Sequence, residues 1–345
     1  MTLPVFATMH FLDFPDEICS LIASVDYSTH IKLRATCRRL YNLLTEDLRE
    51  LRLKRVMKTE KHYSEVHHVF SNIKHLKISS TNSKVLQLPW HDIVSLDISR
   101  NRKVTDSILS TLLAQYPMLT SLNVSECKIT DATLDSLVKH TPGLRRLVLK
   151  RCADITAEGM SRLLGGCQEL RYLNIAFTNA CDAAIRLLTT EPELISLTVS
   201  DVSSIEELSS SCSQLQTLHI YETRLLSFPK MFALKQLSAH ECKYSEKFFE
   251  SLPESAPNLQ RLKLLGEAFF SRDLRALHSL RHLHVLHLHL KHFTDFEVNI
   301  LEQFPALYVV HLVTTTVPMK RLITQLQQQY TVTTRVAPLT EALII

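Results

Sequence analysis

Glycine is scarce in this sequence, with five residues among 345. Backbone loops that cradle phosphate groups need glycine at fixed spacings, and neither the P-loop nor the dinucleotide-binding pattern occurs. The Gly-x-Ser-x-Gly elbow of hydrolases and the kinase signatures are also missing. The sequence therefore offers no familiar motif for nucleotide binding or catalysis, and we expect no cofactor.

Long apolar runs and a strong net charge are lacking as well. We find no run of 18 apolar residues, so a membrane span is not predicted. A formal net charge of +4 does not favour a nucleic-acid binder. The opening residues, interrupted by His10 and Asp13, are not typical of a signal peptide. Eight cysteines spread over more than 220 residues are too sparse for a disulfide-stapled secreted domain. We expect a cytoplasmic and/or nuclear protein.

What the sequence does contain is a repeated pattern of aliphatic residues over three quarters of its length. Each copy has an aliphatic residue, two free positions, a second aliphatic, one free position and a third aliphatic. Eleven copies follow one another at steps of 19 to 26 residues, a spacing typical of leucine-rich repeats. Their first residues are Ile73, Ile93, Leu119, Leu144, Leu170, Leu194, Leu215, Leu234, Leu259, Leu283 and Leu307.

This spacing predicts an α/β fold. The second and third aliphatic positions share one face of a short strand, and stacked copies join into a parallel sheet on the concave side of a curved solenoid. The return segments are predicted to be helices on the convex side, with threonine N-caps at Thr105, Thr130 and Thr156. In the first of these helices, four residues have the spacing of a core-facing stripe: Ile108, Leu109, Leu112 and Leu113.

Cysteines recur at one position of the repeat. Cys127, Cys152 and Cys242 each lie three residues after the third aliphatic of their strand, and Asn101 occupies the same place one repeat earlier. A small polar group is needed there to satisfy backbone groups where the chain leaves the sheet. The pattern resembles the cysteine-containing subclass of leucine-rich repeats. These cysteines are therefore expected to be structural rather than reactive.

The first 50 residues follow another pattern. Residues 14–25 and 33–44 each place apolar side chains at helical spacing, and Thr45-Glu46-Asp47 caps a third predicted helix. Phe14-Pro15-Asp16-Glu17-Ile18 and Leu33-Arg34-Ala35-Thr36-Cys37-Arg38-Arg39-Leu40 resemble the two halves of an F-box. An F-box followed directly by cysteine-containing repeats is similar to the F-box/leucine-rich-repeat family.

That resemblance implies an organisation and a function. It implies a three-helix F-box over residues 8–50, a linker or capping helix over 51–72, and a solenoid over 73–345 that ends in a cap or tail. A member of this family is a non-catalytic substrate-recognition subunit of an SCF-type (Skp–cullin–F-box) E3 ubiquitin ligase. Its F-box binds a Skp-family adaptor, and through it a cullin–RING ligase, while its repeats capture a target protein. The residues matching adaptor contacts are Pro15, Ile18, Leu21, Leu33, Cys37 and Leu40.

The free strand positions are the candidate target-binding residues, because they point away from the core. Large or charged side chains there are typical of interface hot spots. They are Arg146, Lys150, Tyr172, Asn174, His219, Tyr221, Arg261, Lys263, His287 and His311. Their basic character would suit an acidic or phosphorylated segment. The alternative is that loops, or the tail over residues 331–345, make the contacts.

Histidines are numerous, and five are expected to project from the concave sheet: His219, His240, His287, His289 and His311. His287 and His311 hold the same strand position in adjacent repeats, which places them about 5 Å apart. No neighbouring carboxylate or cysteine completes a four-ligand metal site, so a recognition surface is favoured over a metal centre. Two other functions stay open: a repeat scaffold unconnected with ubiquitin, and a Cys–His enzyme.

Overall fold

The fold was analysed in a computed structural model. It describes residues 50–53, 73–78, 91–188, 194–208, 212, 214–269, 271–290, 293–314 and 320–336. The six predicted adaptor contacts, and the predicted F-box helices apart from Glu50, lie outside these residues, as does the end of the chain from residue 337. Of the predicted linker or capping helix, the structure describes residues 51–53, which belong to a strand.

The described chain forms two compact units, Met1–Leu147 and Val148–Ile345. In the first, four strands pair in parallel in the order of the sequence: β1 (Glu50–Leu53), β2 (His75–Ile78), β3 (Ser95–Asp97) and β4 (Ser121–Asn123). Helices α1 (Asp106–Gln115) and α2 (Asp131–His140) follow β3 and β4 and pack against each other. Strand β5 (Arg146–Val148) spans the boundary between the units.

The second unit also has a parallel sheet. Its strands are β6 (Tyr172–Asn174), β7 (Ser196–Ser200), β8 (Thr217–Tyr221), β9 (Arg224–Leu225), β10 (Gln236–Tyr244), β11 (Arg261–Phe269), β12 (Val285–Leu290), β13 (Val309–Thr314) and β14 (Thr331–Val336). They pair in sequence order, except that β8 pairs directly with β10, and β9 pairs with the end of β10. The helices are α3 (Ala157–Gly166), α4 (Cys181–Leu187), α5 (Glu246–Ser255), α6 (Ser271–Ala276), α7 (Asp295–Leu301) and α8 (Lys320–Gln327).

The aliphatic pattern predicts the core of both units. All three aliphatic positions in all eleven copies are buried, with none more than 6% exposed. Equivalent positions are also register partners between strands, as Leu96 is with Leu122, and Leu286 with Val310. Because each strand places its second and third aliphatic residues on one face, stacking buries them together. The repeats are therefore of the leucine-rich type, and the predicted parallel sheet is confirmed.

All three predicted N-cap threonines precede helices, and two details of the prediction are corrected. Thr130 and Thr156 are N-caps whose hydroxyls accept hydrogen bonds from the backbone N–H groups of Ala132 and Gly159. Thr105 holds the N-cap position, but its hydroxyl contacts the hydroxyl of Ser107 instead of a backbone N–H. Ile108 is only half-buried, whereas Leu109, Leu112 and Leu113 are fully buried.

The prediction that return segments are helices is wrong for the shortest repeat. Between β8 and β10, the described residues form turns and the two-residue strand β9 but no helix. This repeat advances by only 19 residues. After the strand and its turns, too few residues remain for a helix of several turns that spans the width of a repeat.

Strands β1 and β14 extend the pattern beyond the eleven copies. Leu51 and Leu53 in β1 are register partners of Leu76 and Ile78 in β2. Strand β14 pairs with β13 over residues 331–336, which were expected to be part of a cap or tail. The chain therefore begins its described sheet one strand earlier, and ends it one strand later, than the sequence pattern indicates.

The chain leaves each strand through the same backbone turn. Seven non-glycine residues with φ between 47° and 63° lie two residues after the third aliphatic of successive copies: Arg100, Glu126, Arg151, Phe177, Asp201, Glu222 and Glu241. Gly266, with φ 126°, continues the series. Left-handed backbone costs a residue with a side chain about 1–2 kcal/mol, so the surrounding structure imposes this turn.

Side chains directly after these turns hold adjacent repeats together. The amide of Asn101 donates to the carbonyl oxygens of Ile78 (2.9 Å) and Ile98 (2.7 Å). The thiol of Cys127 donates to the carbonyl of Ile98, and the thiol of Cys242 donates to that of Ile220. These are buried carbonyl groups of the preceding strand. The predicted role of the recurrent small polar residue is thus confirmed at these three positions.

Candidate binding face of the repeat sheet

The free strand positions form regular rows across the second unit. Parallel register brings one residue of each strand into a continuous line, with neighbours about 5 Å apart. The central row consists of Asn174, Thr198, His219, Ser238, Lys263, His287, His311 and Thr333. Four of the predicted target-binding residues therefore lie in this one row, and each carries an imidazole or an ammonium group: His219, Lys263, His287 and His311.

Lys263 is the permanent cation of this row. Its register partners are Ser238 on β10 and His287 on β12. His240 belongs to the adjoining row, and its Nε2 lies 3.0 Å from the hydroxyl of Ser238. Within the described part of the chain, Lys263 has no carboxylate partner. The imidazoles and this ammonium group therefore share a surface that lacks compensating negative charge.

Burial, and then the surrounding positive charge, disfavour protonation of the imidazoles. Burial, followed by repulsion from Lys263, His219 and Lys150, lowers the pKa of His240 to about 4. Burial, followed by repulsion from His311, Lys263 and His240, lowers the pKa of His287 to about 4. The pKa values of His219 and His311 are also lowered, first by burial and then by Lys263. At neutral pH, His240 and His287 are neutral rings able both to donate and to accept a hydrogen bond.

The two outer histidines are in contact, as their register predicts. His287 and His311 are partners on β12 and β13, with ring centroids 3.9 Å apart and an edge-to-face arrangement. The Nδ1 of His311 is hydrogen-bonded to the hydroxyl of Thr333 on β14. This contact holds the outer ring through its Nδ1 atom.

Beside the central row, three rings and one lysine form a cluster that we call the aromatic ridge: Lys150, Phe177, Tyr221 and His240. The ring of Tyr221 stacks on His240 with centroids 5.0 Å apart, and lies 5.6 Å from the ring of Phe177. The Lys150 ammonium lies 5.3 Å from the Phe177 centroid and 5.6 Å from that of Tyr221. Ser200, buried on the intervening strand, is the register partner of Tyr221, and its small side chain allows the rings on either side to meet.

Phe177 was missed as a candidate because it lies beyond the short strand β6. Its left-handed backbone, two residues after the third aliphatic, turns the ring toward Tyr221. The detectable signal is the large aromatic residue at a repeat position that is otherwise occupied by arginine, acids or glycine.

Four predicted target-binding residues, among them Asn174 of the central row, take no part in the contacts described above. Arg146 is exposed on β5 and belongs to the first unit. Tyr172 on β6 is 40% exposed, and Asn174 uses its side-chain oxygen to accept the N–H of Ala176. Arg261 is exposed on β11, in the row preceding that of Lys263. The structure therefore brings six of the ten together: Lys150, His219, Tyr221, Lys263, His287 and His311.

The expectation that His289 projects from the sheet is wrong. It is only 5% exposed, and its Nδ1 is hydrogen-bonded to the carbonyl of Gly266. Strand β11 bulges opposite β12, so that pairing shifts between Leu264 and Phe269. The bulge brings the Gly266 carbonyl over the imidazole, which simple alternation along β12 does not predict.

The corresponding face of the first unit has a different charge pattern. Lys77 on β2 and Asp97 on β3 are register partners, and the ammonium lies 2.6 Å from the carboxylate. Burial raises the pKa of Asp97, but hydrogen bonds from Lys77 and Ser99 outweigh that effect and leave it below its usual range. Here the strand cation has its own counter-ion, whereas Lys263 has none in the described residues.

The cysteines do not have the environment of a nucleophile. All six described cysteines are buried, and none of the six forms a disulfide bond. Burial raises the pKa values of Cys127, Cys167, Cys212 and Cys242 to about 11. A thiol with such a pKa is almost entirely protonated at neutral pH, and the thiolate is the reactive form. Among the described residues, no group of three or more His, Cys, Asp or Glu side chains is arranged to hold a metal ion.

No known family model matches the sequence. Among solved structures, a chain in the crystal structure of the Rad7 and Elc1 complex in yeast is similar, with 16% sequence identity over 93% of each chain and a TM-score of 0.49. The assignment of leucine-rich-type repeats rests on strand register and burial in this chain. No helix in the described residues is long and apolar enough to cross a membrane.

Proposed function

We propose that this chain is a non-catalytic substrate-recognition subunit of an SCF-type E3 ubiquitin ligase, acting in the cytoplasm and/or nucleus. Residues 8–50 bind a Skp-family adaptor, which links the chain to a cullin–RING ligase. The repeat sheet holds the target protein, with Lys150, His219, Tyr221, Lys263, His287 and His311 at the centre of the contact. The ligase then acts on a target lysine kept at high effective concentration.

The observation that carries this proposal is a binding face on a buried repeat scaffold, directly preceded by an F-box-like sequence. The face presents tyrosine, lysine and imidazole groups on strands whose other side is fully buried. Rigid strands keep these side chains in place without a bound partner, which lowers the entropy lost on binding. The high pKa values of the buried thiols argue against the alternative of a Cys–His enzyme.

The adaptor test uses the full chain and a purified Skp-family adaptor. Ile18→Asp together with Leu21→Asp is expected to abolish co-purification, because two charges would be forced against an apolar groove. The matched control is Ser20→Asp with Ser24→Asp, which adds the same charges on the opposite side of the predicted helix. Circular dichroism and thermal unfolding check that both variants keep the repeats folded.

Two outcomes separate the candidate functions. Loss of adaptor binding in the Ile18/Leu21 pair alone supports the ligase subunit. If the wild-type chain does not bind the adaptor, or if the folded Ile18/Leu21 variant binds it fully, the F-box assignment is wrong. The repeat face would then belong to an interaction scaffold unconnected with ubiquitin, since that face does not depend on residues 8–50.

A further inference from the structure

The central row of the second unit concentrates positive charge without a counter-ion. Lys263 acts on four imidazoles, those of His219, His240, His287 and His311, as a like charge. In the first unit the equivalent cation, Lys77, is paired with Asp97. A strand cation left without a carboxylate, among rings that could donate further hydrogen bonds, is an arrangement that a bound anion would complete.

We propose that this row is a proton-linked binding site for an anionic peptide group, in which Lys263 provides the fixed charge and His240 and His287 become protonated as the anion binds. The anionic group is a phosphate monoester or a carboxylate, since both accept several charge-assisted hydrogen bonds. The inference deepens the proposed capture of a target, and its test needs no adaptor.

The positions of the groups support one shared site. His287 is the direct register partner of Lys263, and His240 lies on β10, the strand on the other side of β11. His240 is the register partner of Tyr221 on β8 and Leu265 on β11, and the like charges that act on it are Lys263, His219 and Lys150. His287 is the register partner of Lys263 on β11 and His311 on β13. No described residue of the central row carries a carboxylate, so an anion beside Lys263 meets only basic or neutral groups along that row.

Acidic groups nearby define the limit of the site. Asp201 and Glu222 directly follow β7 and β8, and Glu241 follows His240 within β10; with Arg224 and Lys243 they line a separate hollow of about 690 Å³. These carboxylates disfavour an anion at the strand ends. They restrict the proposed site to the row around Lys263, with the aromatic ridge alongside it. Tyr221 and Phe177 then offer ring surface to the residue that precedes or follows the anionic one.

Binding is expected to take up protons from solvent. An anion between Lys263 and the two rings reverses the sign of the charge that acts on them, so their pKa values rise on binding. In this pH range, His240 and His287 are largely unprotonated in the free protein but protonated in the complex. The affinity for the anion is therefore higher at about pH 6 than at about pH 7.5. We expect a gain of about threefold to tenfold per proton taken up.

The test measures fluorescence anisotropy of a labelled short peptide with the purified full chain at low salt, where ionic contacts are strongest. Three peptides differ at one position, which is phosphoserine, glutamate or serine. Stronger binding of the phosphoserine or glutamate peptide than of the serine peptide supports the proposal, and their ranking identifies the anion. Equal affinity for all three, or no binding of the anionic peptides, overturns it. Oligothymidylate is the nucleic-acid competitor. If it displaces the labelled peptide as effectively as the unlabelled anionic peptide does, the proposal is overturned in favour of a nucleic-acid surface.

Matched variants locate the site. Lys263→Glu is expected to weaken binding of the anionic peptide at least about tenfold, since it reverses the fixed charge. Lys263→Met, which removes the charge without adding one, serves if the glutamate variant does not fold. Lys235→Glu makes the same charge change at an exposed position before β10 and is expected to have little effect. Equal losses in the Lys263 and Lys235 variants would contradict a local site.

Histidine variants test the proton linkage separately. His287→Gln keeps a polar side chain but removes the titrating group, so the affinity gain at low pH is expected to shrink. His282→Gln, at an exposed position before β12, is the control and is expected to keep the full gain. An anion affinity that does not change with pH in the wild-type chain would overturn the protonation of His240 and His287.

Discussion

The imidazoles of His287 and His311 meet edge to face, with centroids 3.9 Å apart, on directly paired positions of neighbouring strands. Two such rings cannot both be protonated without strong repulsion. The pKa of His287 is therefore lowered to about 4, first by burial and then by His311, Lys263 and His240. The folded state holds this ring neutral, whereas in the unfolded chain it titrates near 6.5.

Stability is predicted to depend on pH through this ring. Between about pH 6.5 and about pH 4 the unfolded chain binds more protons than the folded chain, so the free energy of unfolding falls as the pH is lowered through this window. His287→Gln should make the decline shallower, by less than about 1 kcal/mol because the ring is partly exposed and screened. Melting temperatures from pH 4 to 7.5 measure this, with His282→Gln as the control. Parallel curves for wild type and the His287 variant would contradict the lowered pKa.

Replacing a buried residue of the aliphatic pattern should lower the free energy of unfolding far more than replacing its neighbour on the strand. Leu218 is fully buried on β8, and Thr217 beside it is half-buried on the other face. Leu218→Ala should lower the free energy of unfolding by about 2–5 kcal/mol. Thr217→Ala should change it by about 0.5 kcal/mol or less. Denaturant unfolding compares the two variants, and similar losses would mean that the assigned strand faces are wrong.

The amide of Asn101 is predicted to be a strong link between repeats. Asn101→Ala removes hydrogen bonds to the carbonyls of Ile78 and Ile98 and should cost about 1–3 kcal/mol, because buried acceptors lose their partner. Asn101→Cys should recover part of the loss, since Cys127 makes the equivalent contact one repeat later. Thermal unfolding ranks the three proteins. A cysteine variant no more stable than the alanine variant would show that the thiol cannot replace the amide.

Two glycines should respond in opposite ways to alanine. A Cβ at Gly266 would lie 2.7 Å from the Cα of Glu241 on the paired strand, at a φ of 126°. Gly266→Ala should therefore destabilise the protein by at least about 1–3 kcal/mol. Gly165 lies in helix α3 with nothing within 4 Å of the added atom, so Gly165→Ala should stabilise by about 0.5–1 kcal/mol. Opposite shifts in melting temperature are the expected result, and shifts of the same sign would refute the assigned backbone at Gly266.

The repeat core could be predicted from the sequence because its signal is periodic. Burial of Leu119, Leu122 and Val124 follows from their spacing alone, since alternation along a strand fixes which side chains face the core. Strand β1 could have been found in the same way, because Leu48, Leu51 and Leu53 have the template spacing. Helical periodicity in the preceding residues led to that segment being assigned to a helix and linker. Strand β14 lacks the full pattern, because Thr334 stands at the register position of Leu312.

The candidate site was only partly predictable. Alternation along each strand placed His219, Lys263, His287 and His311 in one row, and the register confirms this. The contacts of Phe177 depend on a left-handed turn, and the burial of His289 depends on a bulge in β11. Neither feature is encoded in the alternation of apolar residues. They arise from how neighbouring repeats of unequal length are fitted together.

The strand register within each unit also bears on how the chain folds. Paired strands are one repeat apart in sequence, so most contacts within a unit join residues about 20–30 positions apart in a chain of 345. Such a low relative contact order favours rapid folding, because little loop entropy is lost before each new strand finds its partner. A single correctly formed pair of repeats can therefore act as a nucleus, and the rest of its unit can be added one strand at a time. On the ribosome, each repeat could join the sheet soon after it emerges, before the distant end of the chain has been made.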